Sequence, residues 1–146
     1  MANINPYLSF NDNCEEAFNF YKSVFGGEFL RIVRFKDMHC EQPMTEGEGE
    51  KIMHVALPIG KTVLMASDTP AACGVLTIGT NVSISINAES EEEATRLFNG
   101  LSAGGKVIMA LHKAVWNAYF GMFTDKFGIQ WMVNYEYEQR KQTSKE

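Results

Sequence analysis

Several things are scarce in this sequence, and each scarcity removes a class of function. Only three of the 146 residues are cysteines, Cys14, Cys40 and Cys73, and no CxxC pair occurs. An odd, unpaired set fits a reducing compartment better than a disulfide framework. Cationic side chains are in deficit, with 13 Lys and Arg against 18 Asp and Glu and a net charge of -5. That balance argues against a general nucleic-acid binder, which needs clustered positive charge. No apolar run is long enough to span a bilayer. The first six residues, Met1 to Pro6, show no basic segment followed by an apolar one, so no secretory signal is visible and a cytoplasmic protein is expected. There is no glycine-rich GxGxG turn between strand and helix, no alternating parallel βα pattern and no phosphate loop, so no nucleotide-type cofactor site is expected.

What remains is globular. The composition is 45% hydrophobic and 21% charged, and a chain of about 150 residues fits one domain with a substantial core. Its two halves look alike. In the first, the alternating stretch Tyr7-Leu8-Ser9-Phe10 leads into a segment from Cys14 to Phe25 with Phe18, Tyr21, Val24 and Phe25 at helical spacing, closed by Gly26-Gly27. A strand over 29–35 follows. In the second, residues 81–87 alternate with period two. Ser90 then offers an N-cap ahead of Glu91-Glu92-Glu93, and Ala94, Leu97, Phe98 and Leu101 share one helical face before Gly104-Gly105. A strand over 106–111 follows. Each half adds two more strands, over 52–57 and 62–67 in the first and 119–124 and 129–135 in the second, joined by turn-forming residues. The repeat unit is therefore β-α-β-β-β, present twice. The pattern predicts a single domain over 1–146, built of modules at about 1–68 and 81–137 with a linker over 69–80. Residues 37–50 read as irregular and acidic, and 138–146 as a polar tail.

A tandem βαβββ repeat of this size resembles the vicinal oxygen chelate superfamily of glyoxalases, bleomycin-resistance proteins and dioxygenases, and within it the PhnB-like branch. Three stretches carry the resemblance: Tyr7 to Ala17 with Phe20-Tyr21 and Phe25-Gly26-Gly27-Glu28, Ile52 to Leu57, and Phe120 to Asn134. It implies an α+β fold in which two modules form a curved mixed-sheet cup, helices outside, around a ligand cavity. Alternation then assigns sides. Leu8, Phe10, Val82, Ile84 and Ile86 pack under helices, while Tyr7, Ser9, Ser83, Ser85 and Asn87 face the cup. His54 and Ala56 lie opposite Met53, Val55 and Leu57, and Gln130, Met132 and Asn134 lie opposite Trp131 and Val133. Trp116 sits at the rim.

Metalloenzymes of the superfamily place His, Gln or Glu on the first and last strands of each module. Here those positions read Tyr7, Ser9, Ser83 and Ser85 on the first strands, Met65 and Ser67 on the fourth. On the last strand Met132 stands four residues after Gly128, where the family's Glu ends its pattern. Hydroxyls and thioethers are poor ligands for Zn²⁺, Mn²⁺ or Mg²⁺, so no metal and no cofactor is expected. His54 reads as a hydrogen-bonding or acid–base group, as one ligand of a displaced site, or as an interior imidazole satisfied by a neighbouring strand. His112 belongs to a surface loop or the cavity mouth, and His39 to a solvated loop or a lid. Trp116, Tyr119 and Phe123 are candidates for a ligand wall, and Asp125 is a turn carboxylate or a base.

The resemblance thus implies a binding protein of undetermined activity that holds a small organic molecule between the modules through Tyr7, Ser9, His54, Ser83, Ser85, Trp116, Met132 and Asn134. The alternative is a metal-dependent lyase, isomerase or dioxygenase of the glyoxalase type. Some relatives of the branch carry a demethylubiquinone methyltransferase label, which the missing glycine-rich loop does not support. Neither a nucleic acid nor a membrane is an expected partner. A homodimer is expected, because modules of this family pair edge to edge and the aromatic content of 12% leaves apolar surface for an interface.

Overall fold

The computed structural model describes residues 2–37 and 45–137. The chain divides into two compact units, Met1–Thr77 and Ile78–Glu146. Unit 1 holds strand β1 (Tyr7–Phe10), helix α1 (Cys14–Phe25), β2 (Arg31–Arg34), the one-turn helix α2 (Glu46–Glu50), β3 (Ile52–Ile59) and β4 (Thr62–Asp68). Unit 2 holds β5 (Ile84–Asn87), α3 (Glu91–Ser102), β6 (Lys106–Ala114), β7 (Ala118–Thr124) and β8 (Gln130–Glu136). The expected βαβββ order therefore occurs twice. Each sheet has four strands, ordered β1-β4-β3-β2 and β5-β8-β7-β6. In both, the first strand of the module runs parallel to the last, and the other pairs are antiparallel.

The helices close over one face of each sheet for the reason their sequences suggest. In α1 the buried residues are Cys14, Ala17, Phe18 and Tyr21, the i, i+3, i+4, i+7 stripe of an amphipathic helix. Phe18 meets Phe10 of β1 edge to face, with ring centroids 6.3 Å apart. In α3 the stripe is Ala94, Leu97, Phe98 and Leu101, and Phe98 meets Phe123 of β7 at 5.0 Å. That approach needs Gly121: a Cβ there would lie 2.7 Å from the Phe98 ring. The Ser90 hydroxyl accepts from the Glu93 amide at 3.0 Å, capping α3 as its sequence predicts, with three glutamates complementing the helix dipole.

The N-terminus of α1 is held differently. Asn13 makes no capping hydrogen bond through its side chain. The carboxylate of Asp68, at the end of β4 and only 3% exposed, reaches across instead. One oxygen accepts from the Cys14 amide at 2.9 Å and the other from the Ile52 amide at 2.8 Å. In unit 2, buried Asp125 accepts from the Phe127 and Ile129 amides and from the Trp131 indole.

Four expectations are corrected. Residues 46–50 are not irregular but form α2, because the Thr45 side chain caps it through the Glu48 amide. His39 and Cys40, with the rest of 38–44, lie outside the described residues, as does the 138–146 tail. Strand β5 starts at Ile84 rather than 81, and Val82 is 73% exposed instead of packed under a helix. Strand β6 runs on to Ala114, so His112 is a strand residue paired with Phe120. Finally, Phe123 is buried against α3 and cannot wall a ligand, and the Tyr119 hydroxyl meets that of Thr95 on α3, on the helix side.

Replacing Asp68 with Ala leaves two buried amides without acceptors and is expected to cost about 3 kcal/mol of stability. Urea unfolding should show the loss, and Asp68→Asn, which keeps one acceptor oxygen, should lose less.

Candidate functional site

Among the described residues of each unit, one face of the sheet lies under the helix and the other is free of helices. Directly paired strand residues point to the same side of a sheet, so register decides which side chains meet on the free face. In unit 1, Tyr7 pairs with Met65, Met65 with Ala56, and Ala56 with Arg31, which makes one row across all four strands. Ser9 pairs with Ser67, and His54 with Val33. His54 stands two residues along β3 from Ala56 and shares its face, as alternation predicts.

His54 is the chemical centre of this face. Its Nδ1 lies 3.4 Å from the Tyr7 hydroxyl, at the long end of hydrogen-bonding range. The two rings stand 5.8 Å apart at centroid and are tilted by 35°. With Tyr7 donating to Nδ1, the neutral ring carries its proton on Nε2. Partial burial, and after it the charge of Arg31, hold the His54 pKa below its ordinary 6.5. The remaining residues on this face, Met65 and Ser67 of β4 and Val33 of β2, carry no charge.

In unit 2, Ser85 pairs with Met132, Met132 with Met122, and Met122 with Met109. The neighbouring row runs Asn87, Asn134, Phe120, His112. Trp116, in the turn between β6 and β7, is 59% exposed and stands edge-on to Phe120 with centroids 5.6 Å apart. Asn117 takes a positive φ of 65° to close that turn. Ser83 lies in the segment leading into β5 rather than in the strand. A broad groove of about 630 Å³, lined by Glu91, Glu92, Thr95 and Arg96, lies on α3 and not on the free face.

The sequence-predicted residues thus fall into two groups. Tyr7, Ser9 and His54 share the free face of unit 1. Ser85, Met132 and Asn134 share that of unit 2, with Trp116 against Phe120. Alternation alone did not single out Arg31, Met109, Phe120 or Met122, which reach these faces only through register. A hint was present in Arg31-Ile32-Val33-Arg34, where one arginine must share the side of Val33.

The strand positions that hold metal in related enzymes are adjacent here, since Tyr7 pairs with Met65, Ser9 with Ser67, and Ser85 with Met132. The donor set at these positions does not suit a divalent ion. Neutral hydroxyls and thioethers do not compensate the desolvation of a divalent ion as carboxylates and imidazoles do. Among the described residues, no group of three His, Cys, Asp or Glu side chains could hold a metal.

Comparison with known proteins agrees with this geometry. Residues 3–133 match the model of the Glyoxalase/Bleomycin resistance protein/Dioxygenase superfamily, and the chain belongs to that family. Protein YjdN of Escherichia coli K12 is 31% identical over 140 residues, covering 90% of this chain and 93% of the relative. Protein PA1353 of Pseudomonas aeruginosa superposes with a TM-score of 0.80 at 44% identity, covering 93% of this chain and 98% of that one. A PhnB protein of Bacillus cereus, whose name proposes a 3-demethylubiquinone-9 3-methyltransferase activity, superposes with a TM-score of 0.72 at 27% identity, covering 92% and 99%. The likeness to the PhnB-like branch therefore holds in structure as well as in motif.

The depressed pKa of His54 has a definite sign. The unfolded chain takes up a proton near pH 6.5, the ordinary value, while the folded chain resists it. Stability from this group is therefore intact above that pH and falls as pH drops through and below it. Proton NMR titration should place His54 below 6.5, and Arg31→Gln should raise it.

Proposed function

We propose that this chain is a small-molecule-binding protein of the PhnB-like branch, and that its ligand contacts the helix-free sheet faces. The observation that carries the reading is the lining of those faces. One presents a tyrosine, an imidazole and serine hydroxyls, and the other presents methionines and aromatic rings with Ser85 and two asparagines. Few, well-placed polar groups beside apolar walls are the usual make-up of an organic-ligand site. Tyr7, Ser9 and His54 supply the polar contacts in unit 1. Ser85, Asn134, Met132 and Trp116 supply contacts in unit 2, and Ser83 borders β5. Metal-dependent lyase, isomerase or dioxygenase chemistry finds no suitable donor set at the family's ligand positions. A methyltransferase reading gains nothing from a chain without a glycine-rich cofactor turn.

The test pairs a thermal-shift ligand screen with elemental analysis of the purified protein. A rise in Tm with one class of organic ligand, reduced by His54→Ala, is the expected result. One equivalent of zinc or manganese that His54→Ala removes would replace this reading with the metalloenzyme one.

Two further features accompany the proposal. Free Cys14 and Cys73 suit the cytoplasm, and no helix among the described residues is long and apolar enough to cross a membrane. Cys14 is buried and its thiol is pushed well up by that burial, then by the charges of Asp68 and Glu15, which disfavours the reactive thiolate. The outer strands β2 and β6, with the residue before β2, leave Leu30, Ile32, Val107, Ile108 and Met109 exposed. Such apolar edges support pairing of two copies into a homodimer. Light scattering at micromolar concentration should give the mass of two chains, and a monomer would refute it.

A further inference from the structure

We infer that the helix-free face of unit 1 binds the oxyanion of its ligand, a carboxylate or a phosphate, with Arg31 as the charge anchor. This rests on the ligand-binding reading above and narrows it to a chemical class.

The argument begins with which cations are already engaged. Among the described residues of unit 1, Lys22 pairs with Glu28, Arg34 with Glu15, Lys36 with Glu50 and Lys51 with Glu48, all at 3.0 Å or less. Arg31 and Lys61 have no carboxylate partner among the described residues. Lys61 sits exposed in the turn between β3 and β4. Arg31 does not: it pairs with Ala56, in the row that ends at Tyr7, and is diagonal to His54. Diagonal neighbours on one sheet face stand about 7–8 Å apart, within reach of a long side chain.

On the free face the His54 imidazole is diagonal to Arg31, Ser67 lies one strand further on, and Tyr7 and Ser9 stand on β1 at the far edge of the sheet; among the described strand residues there no Asp or Glu shares it. A guanidinium offers two parallel N–H groups to a carboxylate or phosphate. His54, whose pKa is held down first by partial burial and then by that same guanidinium, adds a neutral ring N–H diagonal to it. One fixed charge with a neutral donor beside it complements a single anionic group. The chain as a whole, at -5, repels anions at long range, so an anion held here is held by local geometry.

A competing role is on the page. Charged side chains on an edge strand also discourage edge-to-edge aggregation, and β2 is an edge. The two roles separate experimentally. The full-length chain is titrated with sodium phosphate and, separately, with benzoate, following the His54 imidazole by NMR. Expected are saturable shifts and a rise in the His54 pKa, as the bound anion offsets the Arg31 charge. Arg31→Gln should weaken binding at least about tenfold, the loss of a charge-assisted bidentate contact, while Arg31→Lys should fall between. Lys61→Gln should leave binding unchanged. Tighter phosphate points to a phosphoryl ligand and tighter benzoate to a carboxylic acid, and either supports the assignment. It is overturned if neither anion gives a saturable shift, or if Arg31→Gln binds as the wild type does, whether or not that variant aggregates. An uncharged compound that raises Tm while both anions stay silent overturns this inference and leaves the broader ligand-binding reading standing.

Discussion

A buried carboxylate with only backbone amides for partners decides much of unit 1. Asp68 is 3% exposed, and its two oxygens accept from Cys14 at the start of α1 and Ile52 at the start of β3. A charge out of water needs its hydrogen bonds met, and losing one is costly. The end of β4, the entry to α1 and the entry to β3 are therefore tied at a single point. The first turn of α1 leaves free amides that a carboxylate satisfies well, which explains why Asn13 need not cap. With α1 anchored there, its Ala17, Phe18 and Tyr21 stripe can only close on one side of the sheet, and Tyr7, Arg31 and His54 are left on the other. Unit 2 meets the same need with another device. Its helix is capped locally by Ser90, while Asp125 ties the turn before β8 to the Trp131 indole. That indole belongs to the helix face, so fixing it also fixes Met132 and Asn134 on the free side.

From this follows a division of labour within one architecture. The two units share strand order and helix placement, but their free faces carry different chemistry. Unit 1 presents one cation, an imidazole and hydroxyls. Unit 2 presents three methionines in one row, with Phe120 and Trp116 in the next. Thioether side chains are flexible and polarizable and adapt to varied apolar shapes, whereas an arginine fork demands a matching acceptor. The two sheets share strand order and helix side, and differ in the side chains of the face away from the helix.

Much of this was legible before any coordinates. Both long helices occupy the segments their sequences indicate, since amphipathic period and acidic first turns act locally, although the Asp68 contact that holds the start of α1 is long-range. The sides taken by His54, Met132 and Asn134 were legible for a similar reason, as alternation is a property of the strand alone. Arg31 was not, because its place beside His54 depends on the pairing of β2 with β3, and pairing is long-range. The burial of Phe123 and the exposure of Val82 have other causes. Phe123 lies near the Trp116 turn in sequence, yet it packs on Phe98 of α3. Val82 alternates correctly but precedes the first ladder pair of β5. Short α2 escaped notice because its Glu and Gly residues have no apolar period, and a cap at Thr45 suffices to start a single turn.

Family membership and chemistry come apart at particular residues. The register brings Tyr7 beside Met65, Ser9 beside Ser67 and Ser85 beside Met132, at the strand positions where the family resemblance leads one to look for metal ligands. What differs is the donor set, and a divalent ion is held by donors rather than by strand order. Donor chemistry also bears on the sign of charge. Anionic donors attract a cation and repel an anionic ligand, so the lack of Asp and Glu among the described strand residues on the free face of unit 1 works in the direction of the anion-binding proposal.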